Sequence, residues 1–209
     1  AFKTRMSKAF DWSVATSDVL RVHDVIQGLE WVLETLTPQG SSIVVQTPVY
    51  PPFYSSVAGT GRNWVANPLR ETEDGWELDF NHLEEVAARN DVSALLLCHP
   101  HNPCGFVMNK TDLAHVVDIA NRNDLLIISD EIHCDLVYSP NTHVPTASIS
   151  DVAAERTVTL IAATKTFNMA GLRMAFIHSS STRYAPLLKE IRPRMLGGIN
   201  GLGQVATVA

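Results

Sequence analysis

The run Val92–Cys98 is almost unbroken in its apolar character, and the prolines of His99-Pro100-His101-Asn102-Pro103 stop it. Such a run reads as a strand covered on both faces, because a half-exposed strand would alternate apolar and polar residues. Each proline lacks a backbone donor and restricts the residue before it, so the strand cannot continue through this segment. Ile43–Gln46, Leu125–Ser129, Thr157–Ala162 and Met174–His178 are comparable runs, and Asn63–Ala66 reads as a further short strand. Between them lie helical patterns. Residues 25–36 place Val25, Leu29, Val32, Leu33 and Leu36 on one face before Pro38-Gln39-Gly40. Residues 81–89 follow Asn81 as the expected N-cap, Thr111–Asn121 carries Leu113, Val116, Val117 and Ala120, and Tyr184–Ile191 ends before Pro193. Strands alternating with helices predict an α/β fold with a mostly parallel sheet. At 209 residues the chain has the size of one large domain.

Composition narrows the function. Sixteen basic against 22 acidic residues leave a net charge of -6, which disfavours nucleic acid as a partner, since a phosphate backbone calls for a basic surface. No apolar run reaches the ~18–20 residues of a membrane-spanning helix, and the N-terminus carries no signal-peptide core. Three cysteines, Cys98, Cys104 and Cys134, do not make a disulfide framework and point to a reducing cytoplasm. Cys98 and Cys134 are expected to pack as small hydrophobes. His99, His101, Cys104, His133 and Cys134 lack the spacing of a metal site. The patterns G-x-G-x-x-G, G-x-x-x-x-G-K-[ST] and G-x-S-x-G do not occur in the sequence. The chain begins with Ala1, and Gly197–Ala209 reads as a Gly/Ala-rich amphipathic stretch that stops mid-pattern. Both features suggest a piece of something longer.

In an open parallel sheet, ligands sit beyond the carboxyl ends of the strands. Tyr50 follows the run 43–46, Asn102 follows 92–98, Asp130 and His133 follow 125–129, and Thr164 and Lys165 follow 157–162. Taken singly, each has an ordinary explanation: Lys165 as a snorkelling amine, Asp130 as a cap or ion-pair partner. Their convergence is the informative feature. Lys165 is expected beside a desolvated pocket, which suits an amine nucleophile. Arg173, after Gly171 and at the start of the next strand, offers a planar fork suited to a phosphate, and the Thr164 hydroxyl can join it. Val25 and Ile26 open a helix whose free amides can bind the same anion. Asp24, just before them, is a good N-cap and an awkward neighbour for a phosphate.

Thr47-Pro48-Val49-Tyr50-Pro51-Pro52-Phe53, His99-Pro100-His101-Asn102-Pro103-Cys104-Gly105, Ser129-Asp130-Glu131-Ile132-His133 and Thr164-Lys165-Thr166-Phe167-Asn168 occur in this order. Together they resemble the class I/II aminotransferase-like enzymes of fold type I that use pyridoxal 5'-phosphate (PLP), most closely the MalY/PatB group of cystathionine β-lyases (cysteine-S-conjugate β-lyases). The resemblance runs from about Trp12 to the C-terminus. It implies a three-layer α/β/α large domain over residues 1–209, without the family's N-terminal arm and C-terminal small domain. It further implies that Lys165 is the Schiff-base lysine and carries the α-proton. Asp130 would pair with the pyridine nitrogen, Asn102 would bond the phenolic oxygen, and Tyr50 would stack on the ring. His133 stands where many aminotransferases have a tyrosine. Thr164, Arg173 and the amides near Val25 and Ile26 would hold the phosphate.

Two departures are visible: Asp24 occupies the place of a usual glycine, and Ala162 that of a frequent serine. The implied substrate is cystathionine or another cysteine S-conjugate, and the implied assembly is a homodimer. An aminotransferase using the same residues, or a catalytically silent chain, are the competing readings.

Overall fold

A computed structural model describes residues 1–73, 75–190 and 198–209. Its centre is a seven-stranded sheet built from β1 (Val19–Val22), β2 (Ser42–Thr47), β3 (Asn63–Pro68), β6 (Val92–Cys98), β7 (Leu126–Asp130), β8 (Thr157–Ile161) and β9 (Ala175–His178). Their order across the sheet is β1-β9-β8-β7-β6-β2-β3. The five strands from β3 to β8 run parallel. β9 and β1 close one side antiparallel, so the run at 175–178 joins the sheet in the opposite direction to its neighbour β8. A separate small hairpin pairs β4 (Arg70–Thr72) with β5 (Gly75–Glu77).

Successive residues of a strand point to opposite faces, and the central strands are apolar on both. Ala94, Leu96 and Cys98 join one core cluster with Ile43, Val45, Ile128 and Leu160. Leu95 and Leu97 join another with Val44 and Ile127. Each fully buried leucine contributes about 1.5–3 kcal/mol relative to exposure, which is why this strand lies at the centre. Helices α2 (Val25–Leu36) and α3 (Pro52–Gly59) cover the first face. Helices α4 (Phe80–Ala87) and α5 (Lys110–Arg122), with Ala153 of α6 (Asp151–Arg156), cover the second. The three-layer α/β/α architecture is therefore the one expected from the sequence.

Helix α2 positions part of the cleft described below. Asp24 caps it by accepting from the Gln27 amide at 2.8 Å, and Thr37, restricted by Pro38, ends it in an extended conformation. Gly28 lets the helix lie close to the sheet, since a Cβ there would stand 3.3–3.4 Å from Val22, Ile177 and Leu160.

Several local expectations shift. Asp79, not Asn81, caps α4 by accepting from the His82 amide at 3.0 Å, because the helix starts at Phe80, two residues earlier than an Asn81 cap would place it. Leu125 precedes β7, which extends instead to Asp130, and Ala162 falls outside β8. Helix α7 covers Ala185–Lys189, while Ile191 and Pro193 lie outside the described residues. Of the stretch 197–209, Gly201–Val208 forms the last helix, α8, and Gly197 lies outside the described residues. Helix α1 (Phe2–Phe10) was invisible to periodicity. It packs Met6, with Phe2 and Phe10, on a third small core containing Trp12, Cys134 and Ile161.

Candidate active site

The parallel strands β2, β6, β7 and β8 end along one edge of the sheet, at Thr47, Cys98, Asp130 and Ile161. Beyond that edge lies a cleft of about 660 Å³. All nine residues singled out in the sequence line it: Val25, Ile26, Tyr50, Asn102, Asp130, His133, Thr164, Lys165 and Arg173.

Each reaches the cleft through local structure. Tyr50 precedes α3 and meets Phe53 edge-on, with ring centroids 6.2 Å apart. Asn102 rides on a turn held by the His101 amide on the Phe106 carbonyl (2.8 Å) and the Gly105 amide on the His101 carbonyl (2.9 Å). Gly105 sits at φ 67°, where glycine is favoured. The Asn102 amide also donates to the Cys98 sulfur at 3.3 Å. Beyond β8, the Met169 amide closes back on the Thr164 carbonyl at 2.9 Å. Thr166 donates to Asp135, which also takes an ion pair from Arg5 of α1.

Asp130 is 5% exposed and pairs in register with Cys98 of the adjacent strand. Its Oδ1 accepts from the Ile132 amide at 3.1 Å. Burial pushes its carboxyl up to about 7; the Ile132 bond and the Lys165 charge pull it down, and the neighbouring Glu131 charge adds to the rise. His133 is held below the usual imidazole range by burial and then by the Lys165 charge. Burial, reinforced by Asp130, likewise pushes the Cys98 thiol up. The cleft thus combines an acid disposed to keep or share a proton with a neutral imidazole and an amine.

The structure corrects two expectations. Lys165 is exposed at the cleft wall rather than desolvated, because the segment after β8 turns outward over residues 163–169. Arg173 is not yet on the strand: it follows a 3₁₀ turn, Ala170–Leu172, in a left-handed conformation two residues before β9. From there its guanidinium pairs with the Asp24 carboxylate, so the proposed anion ligand already has an anionic partner.

Cys98 and Cys134 are buried, as expected of small hydrophobes, although Cys98 also lines the cleft. Sequence reasoning missed Gln27, Glu30, Ile132 and Ala170 on its walls. It also missed a buried pair behind Asp130, Glu131 and His143, whose partners are 12 residues apart in the sequence and lie on different segments. Among the described residues no group of His, Cys, Asp and Glu is arranged to hold a metal ion. No described helix is long and apolar enough to cross a membrane.

An acid, an amide, an imidazole and a lysine thus converge beyond the strand ends of a three-layer α/β/α domain, the place where ligands of open α/β sheets bind. The family model for aminotransferase class I and II matches residues 17–209, and the chain belongs to that family. It is similar to cystathionine beta-lyase PatB of Bacillus subtilis, 34% identical over 205 residues, covering 98% of this chain and 53% of that protein. Protein MalY of Escherichia coli is 33% identical over 187 residues, with 88% and 46% covered. Among solved structures, cystalysin from Treponema denticola, which contains a pyridoxal 5'-phosphate cofactor, superposes with a TM-score of 0.94 at 30% identity. That match covers 99% of this chain and 52% of the other. These relatives bear out the resemblance to the MalY/PatB group. The chain spans about half the length of the curated relatives it matches.

Proposed function

We propose that residues 1–209 form the PLP-binding large domain of a carbon–sulfur β-lyase. Its substrate is cystathionine or another cysteine S-conjugate, which it cleaves to pyruvate, ammonia and a thiol. The observation that carries this reading is the gathering of nine residues from separate segments around one cleft whose floor is the buried Asp130. Matching roughly half the length of named β-lyases supports the domain reading.

The residues present fit the cofactor. Asp130 is a buried carboxyl that burial alone drives towards the neutral form, and a protonated ring nitrogen is the partner that would hold it ionised. At the other end, Arg173, Thr164 and the first amides of α2 suit a phosphate, with Asp24 as a competing anion. Asn102 and His133 would meet the phenolic oxygen, and Tyr50 would stack on the ring. Bound there, PLP supplies an electron sink for the substrate's α-carbon. Lys165 Nζ would hold it and, once the substrate amine has taken its place, would accept the substrate's Cα proton, while Asp130 would keep its charge beside the ring nitrogen. The Thr166–Asp135–Arg5 contacts steady the Lys165 segment. A homodimer in the cytoplasm belongs to the same reading; the three unpaired cysteines support the compartment.

An aminotransferase would use the same residues, and the family includes such enzymes. The experiment is incubation with PLP, borohydride reduction and peptide mapping, followed by an assay for pyruvate from cystathionine. Cofactor mass on Lys165 is expected for this chain, and pyruvate release without added keto acid for the whole β-lyase of which it is the large domain. A strict keto-acid requirement sinks the lyase reading in favour of transamination. Label that persists in Lys165→Ala sinks the lysine assignment. A chain that takes up no PLP is the silent one.

A further inference from the structure

Directly behind Asp130 lies a polar cluster that no proposed catalytic role uses. The Glu131 side chain is fully buried, and its Oε2 accepts from His143 Nε2 at 2.9 Å. Its Oε1 accepts from the Ser129 hydroxyl at 2.9 Å and from the Thr146 amide at 3.0 Å. The Ser129 and Thr146 hydroxyls are themselves 2.9 Å apart. Burial disfavours the charge on Glu131, yet His143, His99 and the Thr146 amide together outweigh it and hold the carboxyl below its usual range. The His143 ring packs 4.6 Å from that of His99, which begins the turn carrying Asn102, and His99 Nε2 lies 3.2 Å from the Val144 carbonyl. Phe10 of α1 closes the cluster edge-on to His143 at 5.3 Å.

Leaving a carboxylate in a core is costly unless it is fully bonded, so this cluster needs a compensating role. Asp130 itself has one hydrogen bond to its side chain among the described residues, from the Ile132 amide. Its direction is therefore set by the backbone of 129–132, which Glu131 ties to the 143–146 segment. The His99 amide donates to the Asp130 carbonyl at 2.9 Å, linking the same backbone to the Asn102 turn.

We infer that Glu131, paired with His143, is a positioning residue that orients Asp130 and the Asn102 turn towards the cleft. The effect on cofactor affinity rests on the PLP reading above; the mechanical effect does not.

The test uses Glu131→Gln, which keeps the shape and removes the charge. In the cofactor-free chain, hydrogen exchange of the His99 and Ile132 amides is expected to quicken about tenfold or more, an opening eased by roughly 1.4 kcal/mol. Amides of β2 and β3 are expected to keep their rates. In equilibrium dialysis PLP is expected to bind about tenfold more weakly, while inorganic phosphate, which tests only the anion end, binds as before. Unchanged exchange at His99 and Ile132 overturns the inference, as does uniform acceleration throughout the sheet, which would mark mere destabilisation. Equal loss of PLP and phosphate affinity overturns it as well. If the unmodified chain binds no PLP, the functional reading fails and the exchange comparison alone decides this one. Should Glu131→Gln not fold, Ser129→Ala removes one ligand of the same carboxylate, and a smaller change in the same direction is expected; no change at His99 and Ile132 overturns the inference.

Discussion

Arg173 pairs with Asp24, joining the turn before β9 to the residue that caps helix α2, with both side chains on the cleft. Asp24 thus has two functions that substitution can separate. Asp24→Ala removes the cap and is expected to cost about 0.5–2 kcal/mol in urea unfolding. Asp24→Asn keeps a capping oxygen and removes the charge that competes for Arg173. It is expected to hold stability within a few tenths of a kcal/mol and to bind inorganic phosphate more tightly in calorimetry.

Asp130 makes the fold pH-sensitive. Its carboxyl titrates near 7 in the folded chain against an ordinary 3.8, so the folded state holds the proton more tightly than the unfolded one. The stabilisation from that proton is complete below about pH 4 and is lost as pH rises through about 7. Asp130→Asn imitates the protonated form. In cofactor-free protein it is expected to match the parent near pH 4 and to exceed it by roughly 2–4 kcal/mol near pH 8. Equal stabilities at both pH values would contradict the burial argument.

His133 reports on Lys165. Burial and the lysine charge both hold the imidazole below its ordinary 6.5. Lys165→Met leaves the burial and removes the charge. The His133 titration, followed by proton NMR, is expected to rise in this variant yet stay below 6.5. An unmoved midpoint would mean that the two side chains do not sense each other.

Gly28 sets the height of α2 above the sheet. A Cβ at 28 already stands in tight contact with Val22, Ile177 and Leu160, and the branches of valine have no room beyond it. Gly28→Val is expected to lower stability by about 1–3 kcal/mol in thermal or urea unfolding. By lifting the first turn, it should also weaken phosphate binding at Val25 and Ile26.

Much of this was legible because it depends on local pattern. The apolar runs at 43–46, 92–98 and 157–162 show as strands, since they are too short for buried helices and fit burial on both faces. The residues just beyond them meet in one cleft because parallel strands share an end. Strand β1 was not legible: Val19–Val22 is short, carries an exposed Arg21, and gains its identity only by pairing with β9. Helix α3 escaped for a different reason. Its start at Pro52 lies in a turn-rich stretch where proline at the first helical turn looks like a break.

The sequence by itself determined the α/β class, the core strands and, by strand-end position, Tyr50, Asn102, Asp130, His133, Thr164 and Lys165 at the cleft, because burial is written in hydrophobic periodicity. Val25 and Ile26 were legible as a helix start and Arg173 as the residue after a glycine turn. Only the tertiary structure decided how those residues are charged and held. The Asp24–Arg173 and Glu131–His143 pairs each join separate segments, and the exposure of Lys165 depends on how its turn stands at the cleft. Electrostatics and solvation depend on distance through space, and no local pattern encodes that distance.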